Sequence, residues 1–244
     1  MQAAGKIALV TGAARRVGKG IALALAERGA HVVITYNHSG AEAQTTVQEI
    51  KGRGVQAMAL KGNVTRSQDV NGIVQQTMDR FGRIDILVNN ASNYYKTPFN
   101  TLTEEQWDDL VGTNLKGTFL MAKRVGDEML KTGSGKIINL ADWAGFRPYK
   151  DYIPYCVAKA GVIALTQALA KTLAPAIQVN AIAPGPVMLP EDFSDSQREA
   201  VVRATPLKRI GTPQDVAQTV IFLVEGSDFI TGAIIPVDGG RLIA

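Results

Sequence analysis

The chain is poor in the residue types that build disulfides and metal centres. Its 244 residues include one cysteine, Cys156, and two histidines, His31 and His38. A single cysteine excludes an internal disulfide, and the place of Cys156 beside Tyr155 indicates packing rather than redox chemistry. The histidines lie seven residues apart with no acids or thiols clustered around them. We therefore predict no metal site.

Features typical of membrane and nucleic-acid-binding proteins are also missing. No apolar run approaches membrane-spanning length, and no cleavable signal pattern precedes the first apolar strand. The net charge is +4, but lysine and arginine are scattered, without a basic tail or a basic stripe interleaved with aromatics. We expect a cytoplasmic protein that acts on a small molecule and binds neither a membrane nor nucleic acid.

The chain also lacks linkers, low-complexity tracts and internal repeats. Its length fits one large α/β domain, and 46% hydrophobic residues can form a large core. Apolar runs recur between helical patterns: IALVTG, HVVITY, VQAMAL, IDILVNNA, KIINLAD, IQVNAIAPG and GAIIPVDGG. This alternation predicts a single domain over 1–244, built as a doubly wound parallel sheet of about seven strands with helices on both faces.

The first strand, turn and helix have the pattern of a phosphate-binding site. Gly12 lies in the turn of KIALVTGAARRVGKGIALALAERGA, and the helix opens near Gly18. Glycine lets the backbone approach a pyrophosphate closely, and a helix N-terminus offers free N–H groups at the positive end of its dipole. The cluster of Arg15, Arg16 and Lys19 favours a phosphorylated cofactor here, although a solvated helix start has the same composition.

Asp142, Tyr155 and Lys159 form the candidate proton-transfer site. Tyr155 and Lys159 lie four residues apart in YCVAKAG and so share a helix face, and Asp142 ends a strand 13 residues before Tyr155. A lysine ammonium near a phenol favours the phenolate, which lowers the phenol pKa from about 10 toward working pH. We predict that Tyr155 is the acid. Alone, the spacing is equally typical of a solvated pair, and Asp142 could simply cap a turn.

Parallel sheets bind ligands beyond the carboxyl ends of their strands. Candidate polar and glycine residues follow four of the apolar runs: Gly12, Asn90 with Ser92, Asp142, and Pro184 with Gly185. Their convergence from distant parts of the chain predicts one site at this edge of the sheet.

Six ordered motifs resemble the short-chain dehydrogenase/reductase family over nearly the whole chain: TGAARRVG, LVNNAS, TNLKG, YCVAK, IAPG and VDGG. The resemblance implies a Rossmann fold, nicotinamide-dependent hydride transfer and a homotetramer. It implies three catalytic residues, with Tyr155 as acid, Lys159 holding the cofactor ribose and tuning the phenol, and Asn114 supporting a proton-relay water.

Three departures from the family pattern resemble its pteridine reductases. Arg16 stands where glycine is usual, Ser92 ends NNAS with Tyr94 two residues on, and Asp142 replaces a serine. An ionised Asp142 would repel the oxyanion of a carbonyl substrate but could hold the N–H groups of a pterin. A protonated Asp142 could still donate to a carbonyl. Tyr94 would stack on the flat ring, or be an aromatic packed under the substrate loop.

The second strand ends in ITYNHSG, without the acid that NAD enzymes use to hold ribose hydroxyls. Donors in this stretch, together with Arg15, suit a 2′-phosphate, so we predict NADPH. His38 stands where pteridine reductases often have arginine, which makes that contact weaker or pH-dependent. The predicted cofactor contacts are Gly12, Arg15, Arg16, Val17, Gly18, Tyr36, Asn37, His38, Ser39, Asn63, Val64, Asn90, Ala91, Ser92, Tyr155, Lys159, Pro184, Gly185 and Val187.

Three functions follow from these residues. The leading one is an NADPH-dependent pteridine reductase that reduces a ring C=N bond of a dihydropterin or dihydrofolate, with substrate contacts from Arg16, Ser92, Tyr94, Asp142 and Tyr155. The alternative is a 3-oxoacyl-(acyl-carrier-protein) or other carbonyl reductase. The third is a regulator that senses NADP without turnover. By the same resemblance, a substrate lid is expected around 186–207, and aromatics between Asp142 and Tyr155 would form a rim.

Overall fold

The computed structural model describes residues 1–189 and 193–244. Its sheet has seven parallel strands in the order β3-β2-β1-β4-β5-β6-β7. The strands are β1 Ile7–Val10, β2 His31–Tyr36, β3 Ala57–Lys61, β4 Ile86–Asn89, β5 Gly135–Leu140, β6 Ile177–Pro184 and β7 Ile234–Val237. The described α-helices are α1 Arg16–Glu27, α2 Gly40–Lys51, α3 Ser67–Phe81, α4 Glu104–Val111, α5 Gly117–Thr132, α6 Ile153–Leu173, α7 Asp195–Ala204 and α8 Pro213–Ile221.

Helices cover both faces of this sheet. In β2, Val32 and Ile34 belong to the core shared with α1, α2 and α8, whereas Val33 belongs to the core shared with α3 and α5. All three side chains are fully buried. Because both faces lie in a core, neither face of such a strand needs polar residues, which explains the continuous apolar runs. The predicted doubly wound α/β fold is confirmed.

α6 carries the predicted Tyr and Lys on its buried side. It is also long and apolar enough to cross a bilayer by length and composition, with a mean hydropathy of 1.4 over its best 18-residue segment. That finding corrects the expectation that no apolar run reaches this length. A core helix passes the same test, so it is weak evidence for a span, and α6 packs along β6 in this fold.

The site is created where the chain changes direction across the sheet. From β1 the chain continues to β2 on one side, while β4 adds to the other side of β1. The connections leaving β1 and β4 therefore part from each other and open a crevice at the carboxyl ends of these strands. Gly12 follows β1 and Asn90 follows β4, which brings these two predicted residues together.

Candidate active site

A cleft of about 1790 Å³ runs along the carboxyl edge of the sheet. It is lined by every predicted cofactor and substrate residue except Ser39, which precedes α2. The predicted catalytic residues Asp142, Tyr155 and Lys159 also line it, whereas Asn114 is buried behind the wall. The sheet thus gathers residues from distant chain segments into one cleft.

The turn after β1 is locked to the turn after β4. Asn90 Nδ2 donates to the carbonyl oxygens of Thr11 and Gly12 at 2.9 and 3.0 Å. Thr11 Oγ1 in turn accepts from the backbone N–H groups of Asn90 and Ala91. Thr11 is therefore the residue that joins the two turns, a role that the TG pair in the sequence does not reveal.

Gly12 and Gly18 leave no room for a side chain at this junction. Gly12 has a φ of +62°, and a Cβ there would lie 2.8 Å from the Cα of Ala91. A Cβ on Gly18 would overlap Asn90 Nδ2 and lie 2.8 Å from the carbonyl oxygen of Gly12. This cradle fits the close approach of a dinucleotide pyrophosphate to the backbone.

Gly18→Ala should disturb this cradle. The added methyl group must displace Asn90, which would break its two bonds to the β1 turn. We expect the predicted cofactor, NADPH, to bind at least about 10-fold more weakly and the free energy of unfolding to fall by about 1–3 kcal/mol. Isothermal titration calorimetry and urea unfolding measure these two effects.

The control for that substitution is Gly126→Ala in α5. A Cβ there meets only Leu173, at an ordinary 3.7 Å. Alanine in a helix interior should leave the protein equally stable or slightly more stable. Equal NADPH affinity in Gly18→Ala and the parent would contradict the assignment of this turn.

The three basic residues at the start of α1 do not lie together in the structure. Arg15 and Arg16 are exposed and line the cleft. Arg16 has a φ of +56°, in the left-handed region where the family has glycine, and its Nη2 donates to the carbonyl oxygen of Met188 at 3.4 Å. Lys19 instead bonds Glu49 at 2.7 Å. The sequence grouping of Lys19 with the two arginines is therefore wrong.

The end of β2 presents polar groups to the cleft. Tyr36, Asn37 and His38 line it, and Asn37 Nδ2 lies 3.0 Å from His38 Nε2. Asn63 is held in place because its backbone N–H donates to Asp69. Asp69 has no place in the sequence prediction, since only its position near Asn63 in space gives it this role.

Asp142 lies at the centre of the predicted catalytic residues. Its Oδ2 accepts from the Tyr155 hydroxyl at 2.8 Å, and its Oδ1 accepts from the Tyr149 hydroxyl at 3.2 Å. Oδ1 also accepts from the backbone N–H of Ala144 at 2.7 Å, which caps the short helical turn Trp143–Gly145. Asp142 therefore caps a turn and contacts the predicted acid at once. The bond from Tyr149 adds a residue that the sequence places only in the aromatic rim.

Lys159 lies beneath Tyr155 without bonding its hydroxyl. Its Nζ donates to the carbonyl oxygen of Leu140 at 2.7 Å and lies 5.6 Å from the centre of the Tyr155 ring. Burial lowers the pKa of Lys159 to about 8, and the negative charge of Asp142 opposes that shift.

Burial also raises the pKa of Tyr155 well above its ordinary value of 10, and the charge of Asp142 raises it further. The expected lowering of this phenol pKa is therefore wrong for the described cluster, because burial disfavours the phenolate and the Asp142 carboxylate at 2.8 Å disfavours it further. Burial raises the pKa of Asp142 as well, against the hydrogen bonds that it accepts. At neutral pH Tyr155 thus keeps its proton and can act as an acid.

Asn114 contacts the cleft through Ser92 and Asn93, which line it. It lies in the π-helical turn Gly112–Lys116, where its Nδ2 donates to the carbonyl oxygens of Asn93 and Leu110. Its Oδ1 accepts from the Ser92 hydroxyl at 2.5 Å. Such π-turns are frequent at functional sites. The side chain holds the loop after β4, and its predicted support of a relay water stays a prediction.

Aromatic side chains form the end of the cleft where the substrate is predicted to bind. Tyr94 is 46% exposed, stacks on Tyr152 with ring centres 4.7 Å apart, and meets Tyr155 edge-on at 4.9 Å. Trp143 is buried and packs edge-on against Tyr149 at 5.3 Å. The stacked ring of Tyr94 is thus engaged by protein on one face while nearly half its surface is accessible.

The expected lid falls partly outside the described residues, which omit 190–192. Of its described part, Val187, Met188 and Leu189 line the cleft before that gap, and Phe193 and Val201 after it. α7 begins behind a reciprocal cap between Ser194 and Gln197 and has no buried side chain. Lid closure stays a prediction.

A family model described as Enoyl-(Acyl carrier protein) reductase matches residues 12–241. The chain belongs to the short-chain dehydrogenase/reductase family. It is 40% identical over 239 residues to the Staphylococcus epidermidis 3-oxoacyl-[acyl-carrier-protein] reductase FabG, a match that covers 96% of this chain and 98% of the relative. It is also 40% identical over 243 residues to the Thauera aromatica (2S)-[(R)-hydroxy(phenyl)methyl]succinyl-CoA dehydrogenase subunit BbsD, covering 97% and 96%.

Solved structures of this short-chain dehydrogenase/reductase family superimpose closely. An actinorhodin polyketide ketoreductase variant with NADPH matches at a TM-score of 0.93 and 31% identity, covering 98% of each chain. A short-chain type dehydrogenase/reductase from Mycobacterium marinum matches at 0.92 and 34%, covering 98% and 96%. The chain is thus an oxidoreductase of a family that binds nicotinamide cofactors. These relatives favour the carbonyl-reductase alternative over the leading pterin prediction, which none of them supports.

Proposed function

We propose that this protein is an NADPH-dependent carbonyl reductase whose substrates include 3-oxoacyl thioesters. The observation that carries the proposal is the 2.8 Å hydrogen bond between the Tyr155 hydroxyl and Asp142 Oδ2. Burial raises the pKa of both groups, and in this proposal Asp142 meets the substrate in its protonated form, as a donor beside the Tyr155 hydroxyl. A carbonyl oxygen that replaces the bond between them would accept one hydrogen bond from each, as it would from tyrosine and the family's usual serine.

The reaction needs a proton and a hydride on the two atoms of the carbonyl. A nicotinamide cofactor in this cleft would supply the hydride. Tyr155 would give its proton to the oxygen while Asp142 stabilises the negative charge that develops there. Lys159, held by the carbonyl oxygen of Leu140, keeps a positive charge beneath Tyr155 and favours the phenolate that remains.

NADPH rather than NADH is supported by the end of β2. Tyr36, Asn37 and His38 line the cleft there without an acid among them, and Arg15 lines it at the start of α1. A carboxylate at the end of this strand would repel a 2′-phosphate, whereas these groups can donate to it. The NADPH-bound polyketide ketoreductase of similar structure adds support.

A pterin reductase is the second candidate, and one observation favours it. Asp142 accepts from Tyr149, Tyr155 and the backbone of Ala144 together, a pattern that suits the ionised carboxylate. The accessible ring of Tyr94 lies edge-on to Tyr155. An ionised acid beside a stacking surface would hold the N–H groups of a flat heterocycle.

NADPH oxidation, followed at the absorbance band of the reduced cofactor, compares the candidates directly. Acetoacetyl thioester, dihydrobiopterin, dihydromonapterin and dihydrofolate should be tested under identical conditions, each also with NADH. Turnover of the thioester with NADPH is the expected result. Turnover confined to the pterins would replace the proposal with the second candidate, and tight NADPH binding without any turnover would favour a regulator.

The rate should fall on the alkaline side as Lys159 loses its proton. Its pKa is lowered to about 8, so the ammonium is present below that pH and lost above it. Tyr155 stays protonated there, because its pKa is raised. We expect kcat/KM to decline about 10-fold per pH unit above pH 8.

Asp142→Asn reports the protonation state of Asp142, because only the ionised carboxyl raises the Lys159 pKa. The decline should stay in place if Asp142 keeps its proton, as the carbonyl-reductase proposal requires, and move to lower pH if Asp142 is ionised. Circular dichroism at each pH controls for unfolding. A rate that stays constant to about pH 10 would contradict the role of Lys159.

We also propose a cytoplasmic homotetramer. Support comes from exposed apolar side chains on neighbouring helices, with Phe119 on α5 at 44% and Ile153 and Val157 on α6 at 37% and 45%. Self-association along these helices would remove this surface from water.

A further inference from the structure

Arg241 stands in the wall of the cleft without a role in the reaction described above. It opens the short turn Arg241–Ile243 that follows β7, and it lines the cleft beside the catalytic cluster. Its guanidinium carbon lies 4.9 Å above the ring centre of Trp143. Trp143 packs on Tyr149, which donates to Asp142, so three consecutive contacts join Arg241 to the catalytic carboxyl.

The backbone holds Arg241 in this position. The carboxylate of Asp238 accepts from the backbone N–H groups of Gly240 and Leu242, one on each side of Arg241. The carbonyl oxygen of Arg241 also accepts from Arg147. The residue is therefore fixed by its own turn, and its guanidinium is not needed to hold that turn.

The guanidinium itself is unsatisfied. Within residues 1–189 and 193–244 it makes no hydrogen bond or ion pair, and its Nε is buried with no acceptor. Stacking on Trp143 uses the face of the guanidinium, which leaves its N–H donors pointing outward in the plane. A buried donor without a partner is unfavourable unless a ligand completes it.

We propose that Arg241 binds an oxyanion carried by the substrate, a carboxylate or a phosphate remote from the reacting carbonyl. The planar fork of donors matches both groups. A cation here would also offset the repulsion between an anionic substrate and Asp142 whenever that carboxyl is ionised. Arg16, another arginine that lines the cleft, bonds the carbonyl oxygen of Met188. The proposal rests on the proposed reductase function and narrows its substrates to anions.

Two substrate pairs test the proposal and separate its two anions. Acetoacetate is compared with neutral pentane-2,4-dione for the carboxylate, and acetoacetyl phosphopantetheine with acetoacetyl pantetheine for the phosphate. In Arg241→Gln, kcat/KM for the charged member of one pair should fall about 10- to 100-fold relative to its neutral partner, the loss of one charge-assisted hydrogen bond. Arg241→Lys should restore part of this preference.

Arg80→Gln is the matched control. Arg80 also stacks on an aromatic ring, with its guanidinium carbon 5.4 Å from the centre of Phe81, and lies outside the cleft lining. Removing this charge should leave the charged-to-neutral ratio as in the parent. An unchanged ratio in Arg241→Gln for both pairs would overturn the proposal.

A binding measurement keeps this test separate from the reductase function. Trp143 and Trp107 are the two tryptophans, so Trp107→Phe makes fluorescence report on Trp143 alone. Acetoacetate or phosphopantetheine should quench it, and Arg241→Gln should weaken that binding at least about 10-fold. Equal affinity in both proteins would overturn the anion site, whereas binding without reduction of any ketone would refute only the reductase proposal.

Discussion

Tyr155→Phe should lower kcat about 10²- to 10⁴-fold, the usual contribution of a positioned general acid. The ring and its packing stay, since Tyr155 is buried on α6 and packs in a cluster with Ala144, Tyr149 and Tyr152. What is lost is the hydroxyl that lies 2.8 Å from Asp142 and carries the transferable proton. Single-turnover NADPH oxidation measures the chemical step directly.

NADPH affinity should change less than kcat in Tyr155→Phe, because the phosphate turn is formed by other residues. Tyr95→Phe is the control: it also removes a hydroxyl hydrogen bond, to Asp109, but Tyr95 lies outside the cleft lining. Its kcat should match that of the parent. A Tyr155→Phe enzyme with kcat within about threefold of the parent would eliminate Tyr155 as the acid.

Asp142→Ala should lower ketone reduction about 10²- to 10³-fold, the cost of losing one donor to a developing oxyanion. Asp142→Ser should retain most of the activity, because serine restores a hydroxyl donor where the family usually has one. The contrast between these two variants isolates hydrogen-bond donation from charge and from packing. Steady-state rates with an acetoacetyl thioester provide the measurement, and thermal unfolding checks that both variants fold.

The same two variants distinguish the candidate substrates. If a pterin is held by the ionised carboxylate, Asp142→Ser and Asp142→Ala should both lose pterin reduction, and serine should improve the reduction of ketones. If ketone reduction is lost in Asp142→Ala but kept in Asp142→Ser, the result supports the carbonyl-reductase proposal. Equal ketone rates in both variants would show that Asp142 donates nothing to the substrate.

For Tyr155, the local sequence pattern predicts the helix face on which it lies but not the groups that surround its hydroxyl. The spacing of Tyr155 and Lys159 correctly places both on one helix, because the 3.6-residue period depends only on the backbone. It does not predict which partner lies nearer to the phenol. Burial in the packed fold raises the Tyr155 pKa that the lysine was expected to lower, and the charge of Asp142, brought to α6 from a strand end elsewhere in the chain, raises it further.

For Ser92 and Asn114 too, the sequence motifs predict less than the fold shows. Both belong to sequence motifs, yet only the fold shows that Asn114 is buried and that Ser92 faces the cleft in front of it. Arg241 stands next to the closing glycines without any distinctive pattern. Its proposed role depends on its contact with the Trp143 ring, about a hundred residues away in sequence, and no local sequence period predicts that contact.

The sequence by itself determined the doubly wound parallel sheet, the glycine turn after β1 and the edge of the sheet where the predicted site residues meet. Alternating apolar strands and amphipathic helices permit few other packings, and glycine at a crowded turn has few substitutes. Only the tertiary structure decided the protonation balance of Asp142, Tyr155 and Lys159 and the position of Arg241 in the cleft wall. Burial and electrostatic interactions depend on distances between residues far apart in the chain, and those distances exist only after the sheet and helices have packed.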